Sequence, residues 1–191
     1  MANNMIEFIK AAVRNPLEVS TIFPTSKALA ETLLSHADLA GAQRVVELGA
    51  GTGAITKHVL PKLAARDRYL GVELDPRMVD FLRKEFPSTR FEAGPAENLP
   101  TWLEKGTADV VVSSLPWTVF SDETQEKTIA AILYALKPGG VFVTYVCVNA
   151  LLYPKAKAFM NRLEAGFASV HRSRVEWRNI PPAFVLKSTQ A

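Results

Sequence analysis

A glycine-rich turn behind a short apolar run constrains the fold of this chain more than any other part of its sequence. Residues 45–55 read Val-Val-Glu-Leu-Gly-Ala-Gly-Thr-Gly-Ala-Ile, so a predicted strand passes through a carboxylate into three alternating glycines and a predicted helix. Glycines let the backbone turn sharply and approach a ligand closely, because no Cβ lies in the way. A helix start adds unpaired N–H groups and a partial positive charge. The pattern predicts a site for a nucleotide-type cofactor.

The glycines fit more than one motif. Gly49-x-Gly51-x-x-Ala54 satisfies the dinucleotide fingerprint, which allows Ala at its third place. Glu47 favours a different ligand, because a carboxylate facing the loop would repel a pyrophosphate but attract ammonium and sulfonium charges. Glu73, at the end of the next predicted strand, can accept hydrogen bonds from both hydroxyls of a ribose. A strand–helix turn that binds no ligand is the third interpretation.

Composition indicates one globular domain. The 191 residues are 48% hydrophobic, and no apolar run approaches the roughly 20 residues of a membrane span. The N-terminus has no signal-peptide pattern, so we expect a cytoplasmic protein. Residues 41–191 form the predicted core, and residues 1–40 form either a helical cap over the site or a membrane-facing segment. Cys147 is the one cysteine, and the three His lack metal-ligand spacing, so we expect no disulfide and no metal.

Positive charge is concentrated near the C-terminus. Residues 151–191 hold seven Lys or Arg against two Glu, a net charge of +5, whereas the whole chain has +3 and the other 150 residues therefore −2. A basic end on a nearly neutral body favours an anionic partner, either a lipid surface or a nucleic acid. A solvated basic surface without a partner is the alternative.

From residue 44 onward, strand patterns alternate with helix patterns, which predicts a parallel sheet with right-handed crossovers. Strands are predicted at 44–48, 69–73, 89–92, 108–113 and 140–147, and helices near 54–65, 76–86, 97–103, 122–136 and 155–165. Upstream, the pattern predicts an amphipathic helix over 5–13 and a second helix after Pro24. The final β-prone runs, 167–178 and 182–188, are joined too closely for a crossover helix and must pair antiparallel. The fold class is α/β, with a seven-stranded, mostly parallel sheet, a C-terminal antiparallel hairpin and helices on both faces.

Ligands of open α/β sheets bind beyond the carboxyl ends of the strands, so the residues after each strand are the site candidates. The candidates for holding the cofactor are Glu47, Gly49, Ala50, Gly51 and Gly53 after the first strand, Glu73 and Leu74 after the second, Ala96 and Glu97 after the third, and Ser113 at the end of the fourth.

The predicted catalytic residues follow the fourth and fifth strands. Pro116 stiffens its turn and supplies no N–H, which leaves the carbonyl of Leu115 free to accept from a substrate amine. The ring of Trp117 could face a methylated ammonium, with packing in the core as the alternative. Tyr145 lies near the end of the fifth strand and is the candidate group near the path of the departing proton.

With these residues placed, the chain resembles a known family of enzymes. Glu47-x-Gly49-x-Gly51-x-Gly53 is similar to the loop of class I S-adenosylmethionine-dependent methyltransferases, and nearly the whole length resembles the small bacterial phospholipid N-methyltransferases. The resemblance rests on Asn15-Pro16, Ile22-Phe23-Pro24-Thr25-Ser26, Leu48 to Gly53, Ser113-Ser114-Leu115-Pro116-Trp117 and Asn179-Ile180-Pro181-Pro182-Ala183. It implies the Rossmann-like class I fold and S-adenosylmethionine as cofactor. It also implies successive methylation of phosphatidylethanolamine by an enzyme docked on the membrane through an N-terminal amphipathic helix.

One segment departs from the pattern of the class. Many class I methyltransferases place an Asp after the third strand to accept the exocyclic amine of adenine, and here Pro95 stands in that place. The N–H of Ala96 can still meet the adenine ring. The amine then needs another acceptor, and Glu97 or water could provide it.

RNA adenine N6-methyltransferases are the main alternative, because they share a similar N-terminal segment and cofactor loop. They carry Asn-Leu/Ile-Pro-Tyr/Phe at the end of strand four, where this chain has Ser114 in the Asn place and Trp117 in the aromatic place. A hydroxyl cannot supply the paired donor and acceptor of an amide. Those enzymes also append a helical RNA-binding domain, which is not predicted here. A small-molecule or protein N-methyltransferase and a non-catalytic cofactor sensor are the remaining alternatives.

Overall fold

The computed structural model describes residues 25–191, and seven strands within this range form one mixed sheet. The strands are β1 (Val45–Leu48), β2 (Tyr69–Glu73), β3 (Arg90–Ala93), β4 (Ala108–Ser113), β5 (Leu136–Cys147), β6 (Ser169–Arg172) and β7 (Ala183–Thr189). Their order across the sheet is β3-β2-β1-β4-β5-β7-β6. The first five strands pair in parallel, whereas β7 lies antiparallel to both β5 and β6. This arrangement confirms the predicted mostly parallel sheet with an antiparallel C-terminal pair.

Helices surround the sheet. They are α1 (Lys27–Ser35), α2 (Thr56–Val59), α3 (Pro76–Glu85), α4 (Leu99–Trp102), α5 (Asp122–Ala135) and α6 (Pro154–Gly166), with 3-10 turns at Leu60–Lys62, Arg66–Arg68, Ala96–Asn98 and Val148–Leu152. Ser26, Asp75 and Ser121 cap α1, α3 and α5, each through a side-chain oxygen that accepts a backbone N–H of the first turn. The helix predicted over 54–65 is shorter in the structure, because Pro61 has no N–H to continue the α-helical bonding.

Two strand boundaries differ from prediction by several residues, whereas the others agree within two residues. Strand β5 begins at Leu136 rather than residue 140, because Leu136 already pairs with Ala108 before the register shifts and resumes at Val141 with Val110. Residues 137–140, which read Lys-Pro-Gly-Gly, are therefore an irregular part of the strand, and α5 ends just before it at Ala135. At the other end, β6 stops at Arg172, and residues 173–182 form a loop instead of continuing the strand to 178.

The central strands are buried along their length. All four residues of β1 are buried, as are five of the six residues of β4. This is the burial expected for parallel strands that are covered on both faces, and it explains their continuous apolar runs. Because β1 pairs in parallel with β2 and β4, the carboxyl ends of these three strands meet at one rim of the sheet. Polar residues follow each strand there.

Trp117 belongs to the core, which corrects the substrate-facing role predicted for it. Its side chain is 2% exposed, and its ring stacks on Phe159 of α6 with 4.5 Å between centroids. The indole N–H donates to Thr144 Oγ1 at 3.1 Å, and that hydroxyl donates to the carbonyl of Ser113. No face of the ring is open to a methylated ammonium, so the alternative of core packing is the right one.

The N-terminal predictions fall partly outside the described residues. The predicted amphipathic helix over 5–13 and the Asn15-Pro16 dipeptide lie in residues 1–24, which the structure does not describe. The helix expected after Pro24 is α1, and its buried residues include Leu29, Leu33 and Leu34. Between residues 25 and 191, no helix has the length and apolar character needed to cross a bilayer.

Candidate active site

The glycine loop that follows β1 is held between β2 and the end of β4. The N–H of Gly49 donates to the carbonyl of Val72 at 2.8 Å, which ties the loop to β2. On the other side, Ser114 Oγ donates to the carbonyl of Gly49 at 2.6 Å, and the N–H of Ser114 donates to the carbonyl of Leu48. Sequence reasoning treated Ser114 only as a replacement for an RNA-enzyme Asn. Its position directly after β4 was the signal that it positions the loop.

Glu73 binds the loop from the end of β2. Its Oε2 accepts the N–H of Gly51 at 2.9 Å, while Oε1 accepts the N–H groups of Leu74 and Asp75 at 2.8 and 3.1 Å. An ionised carboxylate offers about four lone-pair sites, and three of them are used here. The structure therefore joins Glu73 to the glycine loop, and the bonds predicted from Glu73 to ribose hydroxyls stay a prediction. A ligand that used both oxygens of Glu73 would have to replace at least one backbone N–H.

Glu47 lies fully buried beneath the loop. Its Oε2 accepts hydroxyl hydrogens from Tyr69 at 2.7 Å and Thr56 at 3.0 Å, whereas no residue of the described range hydrogen-bonds to Oε1. Burial raises the pKa of this carboxyl from 4.5 to about 7, although the bonds from the two hydroxyls oppose the rise. The site thus holds an acid whose ionisation costs free energy and would be favoured by a nearby positive charge.

The glycines of the loop serve different purposes. A Cβ added at Gly51 would meet only the carbonyl of Gly49, at 3.9 Å, so the backbone there is open to close approach. A Cβ at Gly53 would overlap the ring of Phe86, so that glycine is required by packing against the end of α3. Of these two positions, Gly51 is the one that could form a cradle for a ligand.

The chain turns back sharply in the segment after β4. The carbonyl of Leu115 accepts the N–H of Trp117 at 2.9 Å, and because a carbonyl oxygen has two lone pairs, its role as acceptor for a substrate amine stays a prediction. Ser113 is buried, and its Oγ accepts the N–H of Leu115 at 3.2 Å. The side chain of Leu115 instead packs toward the loop, since a Cβ on Gly49 would approach its Cδ2 to 3.1 Å. Leu115 and Pro116 remain half-buried at the rim.

The two candidates after β3 lie in the 3-10 turn Ala96–Asn98. Ala96 is half-buried at the start of this turn. Glu97 lines a surface cavity together with Lys127 and Tyr134 of α5, and none of residues 47–53 contributes to that cavity. Glu97 therefore lies beside α5, and its predicted bond to the exocyclic amine of adenine stays a prediction.

Tyr145 contacts the upstream segment. Its hydroxyl lies 3.3 Å from Thr25 Oγ1, and burial raises the pKa of the phenol above its usual value of 10. The neighbouring Ser26 N–H donates to Asn179 Oδ1 at 3.1 Å, and Asn179 Nδ2 donates to the carbonyl of Pro181 at 2.7 Å. The Pro-Thr-Ser and Asn-Ile-Pro-Pro-Ala motifs thus meet in space, which sequence reasoning, treating them separately, did not foresee.

No metal centre accompanies these groups in the described part of the chain. Across residues 25–191, no three His, Cys, Asp or Glu side chains are grouped so that they could hold a metal ion. The polar groups at the rim are carboxylates, hydroxyls and backbone amides, which suit an organic ligand bearing hydroxyls and positive charge.

The chain is similar to known methyltransferases in sequence and in fold. The chain is 28% identical to the ornithine lipid N-methyltransferase of Singulisphaera acidiphila over 92% of its length and 91% of that protein. It is 37% identical to a ribosomal RNA small subunit methyltransferase A of Parasynechococcus marenigrum, but over only 47% of this chain and 30% of that one. The solved structure of the N-methyltransferase NodS from Bradyrhizobium japonicum matches 88% of this chain and 98% of that chain, with a TM-score of 0.67 and 13% identity. At that identity the match shows the fold alone.

A family model described as a methyltransferase domain matches residues 45–140, which is half of the chain and includes the glycine loop, Glu73 and the strands from β1 to the start of β5. Together with the class I fold, this match shows that the chain belongs to the methyltransferase domain family and is an S-adenosylmethionine-dependent methyltransferase.

Proposed function

We propose that the enzyme methylates the primary amine of phosphatidylethanolamine-type phospholipids at a membrane surface. The observation that carries this proposal is the similarity to an ornithine lipid N-methyltransferase over 92% of the chain. That similarity covers nearly the whole chain, whereas the RNA methyltransferase match covers 47% of it. The acceptor in both lipid cases would be an amine carried on a lipid headgroup.

The contact between the two more particular motifs supports the same proposal. Thr25 and Ser26 belong to the upstream Pro-Thr-Ser motif, and they contact Tyr145 and Asn179 at 3.3 and 3.1 Å. Asn179 is buried and belongs to the closing Asn-Ile-Pro-Pro-Ala motif. Both motifs belong to the segments on which the resemblance to phospholipid N-methyltransferases rests. Their mutual contact gives them a shared role in covering the site beside β5.

Two other acceptors remain as candidates. Ornithine lipid is favoured by the name of the full-length relative and differs from phosphatidylethanolamine in the headgroup that bears the amine. Adenine in ribosomal RNA is favoured by the shorter match. Against RNA, Ser114 stands where those enzymes have Asn, and it donates its one hydroxyl hydrogen to the carbonyl of Gly49.

The residues at the rim fit the cofactor in distinct ways. S-adenosylmethionine supplies a methyl group that its sulfonium already activates. In this proposal the cofactor lies close against the backbone of Gly51, and its ribose hydroxyls bond to Glu73. The positive charge of the cofactor is attracted by Glu47, whose Oε1 lacks a hydrogen-bond partner among the described residues. The surrounding walls in this proposal are formed by Gly49, Ala50, Gly53, Leu74, Ala96 and Ser113. Glu97, which lines the cavity beside α5, is kept as the candidate acceptor for the exocyclic amine of adenine.

On the acceptor side, the protein aligns the amine and excludes water. Leu115 and Pro116 are half-buried at the rim and supply an apolar wall. Tyr145 remains protonated at neutral pH, because burial raises the pKa of its phenol. We therefore assign it a hydrogen bond that orients the acceptor rather than the removal of the acceptor's proton.

The assignment of Gly51 predicts that Gly51→Val weakens S-adenosylmethionine binding by about tenfold or more, because overpacking costs about 1–3 kcal/mol. The matched control is Gly106→Val, since Gly106 shares a left-handed φ of 70° against 55° at Gly51 and a Cβ there would meet nothing within 4 Å. Both variants bear the backbone strain, so both should lose stability. Isothermal titration of the two folded variants separates the effects, and equal cofactor affinities would contradict the assignment.

The raised pKa of Glu47 predicts a pH-dependent cofactor affinity. Ionised Glu47 attracts the cofactor's positive charge, so affinity should rise by up to about tenfold as pH increases through about 7. Glu47→Gln should remove this rise. Because the folded pKa lies above the unfolded value of 4.5, wild-type stability should also fall as pH rises from 4.5 through about 7, and the variant should lack that fall.

Titration calorimetry and chemical denaturation across this pH range measure both effects. Glu164→Gln, which removes an exposed acid on α6, is the control and should retain the wild-type pH profiles. A wild-type affinity that is flat through pH 7, or a Glu47→Gln profile that matches it, would overturn the role given to Glu47.

The acceptor is tested by incubating the enzyme with methyl-labelled S-adenosylmethionine and each candidate separately. The candidates are phosphatidylethanolamine vesicles, ornithine lipid vesicles and ribosomal RNA. We expect label in phosphatidylethanolamine, converted stepwise to products that carry more than one methyl. Label confined to ornithine lipid would replace the proposed acceptor with the second candidate, and label confined to RNA would refute a lipid acceptor.

A further inference from the structure

Two loops at one rim of the sheet expose large apolar side chains. One loop contains the 3-10 turn after β5 and presents Leu152, which is 84% exposed, and Tyr153. The other precedes β7 and presents Trp177 and Ile180, which are 73% and 74% exposed. Folded proteins gain free energy by burying such side chains, so several at one place indicate a contact surface. We call Leu151, Leu152, Tyr153, Trp177 and Ile180 the rim patch.

The two loops leave the sheet side by side. Cys147 at the end of β5 pairs with Ala183 at the start of β7, and the N–H of Val148 donates to the carbonyl of Pro182 at 2.8 Å. Because β5 runs parallel to β4 and β4 to β1, this rim also holds the glycine loop. The rim patch therefore lies at the same end of the sheet as the cofactor site.

The loop before β7 is held in place although its apolar side chains point outward. Glu176 pairs with Ala183 in a backbone bridge, and its carboxylate accepts from Arg178 at 2.9 Å and from Thr32 Oγ1 at 3.3 Å. Asn179, between Arg178 and Ile180, is buried and bonded to Ser26. The exposure of Trp177 and Ile180 is thus imposed by anchored neighbours on both sides of each residue.

The charge around the patch favours an anionic partner. Residues 148–183 contain six Lys or Arg and two Glu, and one of the six, Arg162, is ion-paired with Asp122 and Glu126 of α5. Lys155 and Lys157 in the first turn of α6 and Arg174 in the second loop are exposed. Glu176, one of the two acids, is already paired with Arg178. Basic side chains beside exposed apolar ones form the combination that binds an anionic bilayer.

We propose that the rim patch inserts into the interfacial region of an anionic lipid bilayer and holds the cofactor rim toward the membrane. This inference deepens the proposed function, on which it rests, by naming the surface through which the enzyme reaches a lipid amine. A nucleic acid would use the basic groups and could stack on Trp177 or Tyr153, but it offers nothing to the aliphatic side chains of Leu152 and Ile180. The bilayer accounts for both kinds of side chain.

The test uses vesicles of phosphatidylcholine with phosphatidylglycerol, which contain no proposed acceptor, so docking is measured apart from methyl transfer. The full chain should co-sediment with these vesicles, and Trp177→Ser/Ile180→Ser should weaken this binding by about tenfold or more, because two buried apolar side chains are lost. The matched control is Phe81→Ser, which removes a 45% exposed aromatic from α3 and should bind like the wild type.

Trp177 is also an intrinsic probe. Trp117 is buried and Trp102 half-buried, so a vesicle-induced blue shift should come from Trp177, be quenched by lipids brominated on their acyl chains, and vanish in Trp177→Ser. Co-sedimentation with unchanged Trp177 emission, or equal binding by the double variant, would overturn the proposal. A wild-type dimer that the double variant converts to a monomer, without vesicle binding, would assign the patch to a second copy instead.

The outcomes separate the two proposals. If vesicles shift Trp177 emission but phosphatidylethanolamine accepts no label, the docking surface stands and the proposed acceptor fails. If phosphatidylethanolamine dispersed in detergent is methylated equally by wild type and double variant while vesicles shift nothing, the acceptor stands and the docking surface fails.

Discussion

The hydrogen bond from the Gly51 N–H to the Glu73 carboxylate is the interaction on which the site depends. Gly51 has a left-handed φ of 55° and no side chain to hold it, so the loop takes its shape from its backbone partners. Glu73 supplies one partner from β2, and Ser114 supplies another from β4 by donating to the carbonyl of Gly49. Because β1 lies between β2 and β4, both partners come from its direct neighbours in the sheet. The sheet order therefore fixes the loop.

Beneath this loop, the protein maintains an acid in an unfavourable place. Burying Glu47 without a cation raises its pKa to about 7, and hydroxyls from Tyr69 and Thr56 offset only part of the cost. Such a group is more stable in the presence of positive charge than in its absence. The arrangement makes free energy available for binding a cationic cofactor, and the same free energy is lost from the stability of the folded protein at neutral pH.

Local patterns carried most of the information about the fold. The bounds of β2 and β4 match those predicted, because their apolar runs are bounded by polar residues in the sequence itself. The glycine loop and Glu73 were likewise found from spacing and strand ends. Contacts between distant residues could not be found this way. The ring of Trp117 is covered by Phe159, 42 residues later, and Ser26 meets Asn179, 153 residues later. Periodicity reflects only residues that are near each other in sequence, so it predicts neither contact. For the same reason it does not show that Gly53 is required by the ring of Phe86.

A crystal structure of the protein with S-adenosylmethionine would show whether the rim formed by β1 and β2 binds the cofactor through the glycine loop. We expect density above the carboxyl ends of β1 and β2, with the backbone of Gly51 against the ligand and the ribose hydroxyls bonded to Glu73. Density elsewhere on the protein, or an unchanged loop without ligand at saturating cofactor, would contradict this expectation.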